Sequence, residues 1–193
     1  IILTAVLGLA VLPGGCADSQ SEVPAASAVS DYGAAARVMT RNLKEEMYFV
    51  DLIVRGTVLE VREPFTRIIG DVTPSVIEVE EVIHGDLDQE AITLYQHGTP
   101  KTDKDGVLVS PGEEVILLLM ETTEDFYWPY DPGAGVWKVK DGRVQSGPYR
   151  MYGTVEPHLF DSLQNMKVDK FVKKIRKAAE NKKKPEGLMR RAD

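Results

Sequence analysis

The sequence predicts a mainly β fold, an antiparallel barrel or sandwich with one helix before it and one after it. Three observations predict this. Short runs of strand-forming residues recur between turn residues from Leu52 to Ser146. The gaps between them do not supply the crossover helices of about 10 to 15 residues that a parallel sheet needs. Asp141-Gly142 separates two of the runs and is a strong two-residue hairpin signal. The 193 residues suit one main domain, and 43% hydrophobic against 27% charged residues can build its core.

The front of the chain carries a different signal. Ile1 to Gly15 are uncharged, and Ile1 to Leu12 are almost wholly apolar. That run is too short to span about 30 Å of hydrocarbon as a helix. It matches the apolar part of an export signal without the basic start, so residues 1–15 are expected to be a truncated signal. The run ends in Leu12-Pro13-Gly14-Gly15-Cys16. Small residues before a cysteine resemble the bacterial lipoprotein processing site, although that pattern puts leucine where Pro13 stands. The resemblance implies cleavage before Cys16, acylation of its thiol and new amine, and anchorage to the bacterial cell membrane with the domain outside the cytoplasm. Two or more acyl chains, at ~0.8 kcal/mol per buried methylene, would hold it there. Residues 16–33, small and polar without a period, then read as the lipidated cysteine and a flexible tether.

The domain is expected over 34–193. Ala34 to Met47 favour helix, with Val38, Leu43 and Met47 on one side. Leu52–Val61 is the first strand, and Gly56 within it marks a bend or a close backbone approach. Ser75–His84 is the second, where a bulge at Glu80-Glu81 would restore the alternation of Ile77, Val79 and Val82. Ala91–His97 is the third, and Val107–Val109 a short fourth. Glu113–Met120 is nearly all apolar and reads as the most central strand. Val136–Lys140 and Arg143–Ser146 flank the hairpin turn. Within 167–184, Phe171, Val172, Ile175 and Ala179 recur at helical spacing among basic residues, which predicts a basic amphipathic helix.

Three segments carry a second resemblance. They are Asp51 to Val58, Val79 to Asp86, and Pro111 to Leu119. Their order is similar to that in small bacterial envelope proteins. It also resembles the strand pattern of the OB-like barrel in tissue metalloproteinase inhibitors and netrin modules, over about residues 50 to 146. Met120 departs from the aromatic often found there. The resemblance implies a small antiparallel OB-like β-barrel. Inhibition does not carry over, because those inhibitors chelate zinc through a disulfide-held N-terminal cysteine, and here the single Cys16 is expected to be acylated.

The sequence offers little chemistry. His84, His97 and His158 have no metal-binding spacing, although His84 and His97 could meet across strands near Asp86. Asp103, Asp105 and Gly106 lack the spacing of a calcium loop. Glu78, Glu80, Glu81, Glu113 and Glu114 could bring carboxylates together on neighbouring strands, the basis of an alternative reading as an envelope hydrolase. No nucleophile elbow, phosphate loop or cofactor fingerprint is present, so no catalytic residue, metal or cofactor is assigned.

Two surfaces remain. The segment from Phe126 to Gly135 is the densest aromatic patch. Tyr127, Trp128, Tyr130 and Trp137 are candidate binding residues, either as a contact platform or as a lid over the core. Charge is also uneven: residues 1–166 carry a net −14 and residues 167–193 a net +7 within a total of −7. Lys173, Lys174, Arg176 and Lys177 could contact an anionic surface or dock on the chain's own acidic side. The acidic total and the export signal argue against nucleic acid as a partner. The leading expectation is a membrane-tethered extracytoplasmic binding or structural protein whose partner is an envelope protein or a small ligand. An adhesion module using the basic helix is the other alternative.

Overall fold

The computed structural model describes residues 42–104, 106–147 and 157–186, all within one unit spanning 34–193. The expected signal 1–15, Cys16 and the tether to residue 33 lie outside the described residues, as does the expected helix before Asn42.

Helix α1 (Leu43–Glu46) is capped by the Asn42 side chain, which accepts from the Lys44 and Glu45 N–H groups. A single 3₁₀ turn, Met47–Phe49, leads into the sheet. The strands are β1 (Leu52–Val61), β2 (Phe65–Arg67), β3 (Gly70–His84), β4 (Ala91–His97), β5 (Glu114–Met120), β6 (Trp128–Pro129), β7 (Val136–Lys140) and β8 (Arg143–Ser146). Helices α2 (Pro157–Asp161) and α3 (Val168–Glu180) follow.

The expected barrel, and with it the OB-like module, does not form. The eight strands make one open, branched sheet along the path β2-β3-β1-β5-β7-β8, with β4 attached to β3 and β6 to β5. All ladders between strands are antiparallel. A single parallel bridge, Leu94 to Tyr127, links the two branches and makes the sheet mixed. It rests on two hydrogen bonds, Tyr95 N–H to Tyr127 O and Tyr127 N–H to Thr93 O, both 2.9 Å. Pro129 and Pro132 follow and have no N–H with which to extend it. Beyond β5 the sheet instead continues into β7 and β8, whose far side is covered by the segment before α3. There the Val144 N–H donates to Met166 O and the Asn165 N–H to Val144 O.

Local features follow from the sequence. The β1–β3 register skips Glu80 opposite Arg55 and Gly56, a bulge that bends both strands. A Cβ on Gly56 would collide with the Glu78 carbonyl, which explains the glycine inside a strand. Asp141 and Gly142 both have positive φ, 51° and 67°, as a tight hairpin turn requires. Val107–Val109 is not a strand. The buried Gln96 side chain takes the place of a ladder there, donating to Val107 O and accepting from the Val109 N–H, both at 3.0 Å.

Apolar residues fill both faces of the sheet. Leu52, Val54, Val115, Leu117 and Leu119 join Ile77, Ile92 and Leu94 in one cluster. Ile53, Ile116, Leu118 and Trp137 join Leu43 and Met47, Phe160 of α2 and the Phe171–Ile175 stripe of α3 in the other. α3 is shorter than the expected 167–184. It ends at Glu180 with Asn181 as its cap, and beyond it the Lys183 N–H donates to Lys44 O of α1 at 2.9 Å.

Candidate functional site

The aromatic end of the sheet is built by alternation. On β4, Ile92, Leu94 and Gln96 are buried, so Thr93, Tyr95 and His97 turn to the opposite side. The parallel bridge lays Tyr127 beside Leu94. Tyr127 packs inward on the core, which sends Phe126 and Trp128 to the side where Tyr95 and His97 stand.

The result is a row of rings. Tyr95 stacks on Phe126 with centroids 4.0 Å apart, and His97 stacks on Trp128 at 4.6 Å. Trp128 meets Tyr95 edge-on at 5.7 Å, and Phe65 meets Tyr95 edge-on at 5.6 Å. The Arg67 guanidinium lies 4.9 Å from the Phe126 centroid and 5.5 Å from that of Tyr95. It also lies 6.0 Å from the Phe65 centroid and pairs with Glu124 at 3.1 Å. The turn between β2 and β3 carries Ile68 and Ile69, which are 105% and 62% exposed. Two bare isoleucines at a hairpin tip next to an aromatic row form an apolar projection where turns usually carry polar residues.

Electrostatics favour neutral groups here. Burial holds the His97 imidazole below its usual value. Burial, reinforced by Glu121, raises the Tyr127 phenol. Just beyond β6 the buried Asp131 carboxyl is raised by desolvation, against the opposing effect of hydrogen bonds from the Ala134 and Gly133 N–H groups.

The four aromatic residues singled out from the sequence therefore separate. Trp128 belongs to the row, while Tyr127 is half-buried against one core cluster. Tyr130 packs on the helix-covered cluster, and Trp137 is fully buried within it. Phe65, Arg67 and Tyr95 were not among the candidates, and His97 was considered only as a metal ligand. The alternation Thr93, Tyr95, His97 against Ile92, Leu94, Gln96 was the signal that could have placed two of them. Cys16 lies outside the described residues. Lys173, Lys174 and Lys177 line the exposed side of α3, whereas Arg176 pairs with Glu81 at 2.6 Å.

The other candidate groups are dispersed. His84 ends β3, while His97 pairs with Val72 near its start, so the two cannot share a metal ion. The His158 side chain is not described. Among the described residues no group of three His, Cys, Asp or Glu side chains could hold a metal ion. The Asp103 carboxylate accepts from the Val107 and Leu108 N–H groups, and Asp105 lies outside the described residues. Four of the five sheet carboxylates have separate partners, with Glu81 paired to Arg176 as above. Glu114 pairs with Arg55 at 2.6 Å, Glu113 with Lys138 at 3.0 Å, and Glu80 accepts from the Thr57 hydroxyl at 2.7 Å. No protein-family model matches the chain, and no curated protein matches it.

Proposed function

We propose that this is a membrane-tethered extracytoplasmic binding protein that presents the aromatic end of its sheet to a partner. The acylated Cys16 would hold it, the tether would give reach, and the Phe65–Trp128 row with the Ile68-Ile69 tip would make the contact. The observation that carries the reading is the pair of bare isoleucines on the hairpin whose Phe65 and Arg67 meet the stacked rings of Tyr95 and Phe126. Rigid rings bury a large area at little rotamer cost, and an apolar tip gains most when a partner removes it from water. The separate pairing of Glu81, Glu113 and Glu114 with basic side chains weighs against the hydrolase alternative.

The test has two arms. Mass spectrometry of the mature chain is expected to find acyl groups on Cys16, with the protein in the membrane fraction. A photocrosslinker placed at Ile69 in whole cells is expected to give a discrete adduct that one placed at Lys170 does not. An unmodified Cys16 in the soluble fraction overturns the anchor. Identical adduct patterns at both positions overturn the contact surface.

A further inference from the structure

We infer that the partner met by the aromatic end of the sheet is a second copy of the same chain, joined strand to strand along β2. The inference names the occupant of the contact surface proposed above and rests on that reading.

Other margins of the sheet are covered by the chain itself. Beyond β8 lies the segment before α3, bonded to the Val144 N–H and C=O, and beyond β4 lies Tyr127, bonded to Thr93 and Tyr95. β2 ends the path of strands and pairs with β3 alone. Among the described residues no main-chain hydrogen bond reaches its outer side. On the neighbouring β1, β5 covers the chain only as far as Thr57, and Gly112 and Glu113 extend the cover to Val58. An open edge is a template for another strand.

The register shows what β2 offers. Asp71 O accepts from the Gly98 N–H at 2.8 Å, so Asp71 turns its main chain away from β2. Its cross-strand neighbour is Thr66, which in an antiparallel ladder turns its own N–H and C=O away from β3 and into solvent. Two residues earlier stands Pro64, which has no N–H to give. A single residue that shows one donor and one acceptor is matched by its own inverted copy. About a twofold axis at Thr66, each Thr66 N–H donates to the other's C=O, and no main-chain group of β2 is left over.

The side chains fit the same register. Phe65 of one copy stands opposite Arg67 of the other, a ring beside a guanidinium. Glu63 is exposed and has no ion-pair partner among the described residues. It becomes the diagonal neighbour of the opposite Arg67, within reach of a long side chain. The two Arg67 side chains approach each other only diagonally, and each keeps its own Glu124. The bare Ile68 comes to face Pro64 of the other copy, which takes it out of water.

The test uses the full chain with Cys16→Ser, so that an added cysteine is the only thiol. Thr66→Cys in this background is expected to give a disulfide-linked dimer with copper phenanthroline, because directly opposed residues on paired strands lie within disulfide reach. Lys170→Cys, on α3, is expected to stay monomeric. Pairing without a disulfide is read by sedimentation velocity at rising concentration. Thr66→Pro deletes the outward N–H and is expected to weaken dimerisation by ~25-fold or more, two lost hydrogen bonds at about five-fold each. Thr66→Val keeps the N–H, loses only the hydroxyl bond to Asp71, and is expected to stay within about two-fold. Equal disulfide yields at the two positions, or a monomer at every concentration, overturn the second copy. Should Thr66→Pro lower the thermal midpoint, the disulfide yields decide alone. The photocrosslinker at Ile69 separates this inference from the reading beneath it. An adduct of twice the chain's mass supports both. A discrete adduct of another mass keeps the contact surface and overturns the second copy. The same adducts at Ile69 and Lys170 overturn the surface itself.

Discussion

The chain has two tryptophans, and the sheet register places them on the same face. Trp137 pairs with Ile116 of β5 and Trp128 with Met120, and residues four apart on a strand project to the same side. Their surroundings differ completely. Trp137 lies beneath the helices at 0% exposure, with centroids 4.7 Å from Phe171 and 6.0 Å from Phe160. Its indole N–H donates to Ala134 O at 2.8 Å. Trp128 stands further along, half-buried, and finds His97, Tyr95 and Phe126 instead of a helix. Aromatic density in the sequence thus does not separate a core from a contact surface. How far the helices extend over the sheet does.

The largest expected effect breaks this comparison at its buried side. Trp137→Ala removes a fully enclosed indole and its hydrogen bond, and is expected to cost about 3–5 kcal/mol of unfolding free energy by urea titration. Trp128→Ala loses stacking at one side and is expected to cost about 1 kcal/mol. A Trp128→Ala loss equal to that of Trp137→Ala would make Trp128 a core residue and remove the proposed contact surface. The more telling result is the pairing: near-native stability together with loss of the Ile69 crosslink.

Asp131 stands between the two tryptophans in sequence and tests the loop that joins their strands. Its folded carboxyl is held above the usual 3.8 by burial. The folded state therefore binds its proton more tightly than the unfolded chain. The sign follows: this group favours folding most below pH 3.8, the advantage fades as pH rises to the folded value, and above that it is gone. Asp131→Asn keeps an oxygen to accept from the Gly133 and Ala134 N–H groups and does not ionise. Stability measured against pH is expected to lose that slope in the variant. An unchanged slope would mean that other carboxyls carry it.

The elements were more legible than their assembly. The apolar run Val115–Leu119 marked the strand that is buried on both faces, since a strand between two others has no polar side to show. Asp141-Gly142 and the Phe171–Ile175 stripe marked a turn and a helix through local chemistry alone. Closure of the sheet was not legible. It depends on a register between β4 and the chain before β6, two segments far apart in sequence, and on Pro129 stopping that pairing after one bridge. β2 and the first part of β3 also lay outside the expected strands, since Pro64, Gly70 and Pro74 are residue types that usually interrupt a strand. In the fold they stand at a strand boundary, at a hairpin turn and opposite Tyr95. The candidate site shares this difficulty. Phe65 meets Tyr95 only through tertiary contact.

The smallest expected effect sharpens the exposed side of the comparison. His97 stacks on Trp128, and burial lowers its pKa below the usual 6.5. The unfolded chain therefore takes up a proton first as pH falls. Stability from this group is complete above pH 6.5 and declines as pH drops from there through the folded value. His84 is lowered too, by burial and then by Lys182, so bulk stability mixes the two. The indole distinguishes them, because only His97 lies against it. With Trp137→Phe as background, Trp128 is the sole tryptophan, and its emission is expected to change in one step centred below pH 6.5. His97→Gln is expected to flatten the step, and His84→Gln to leave it in place. A step that survives His97→Gln would show that the ring beside Trp128 is not what titrates, and the neutral stack would no longer account for the polarity of this end.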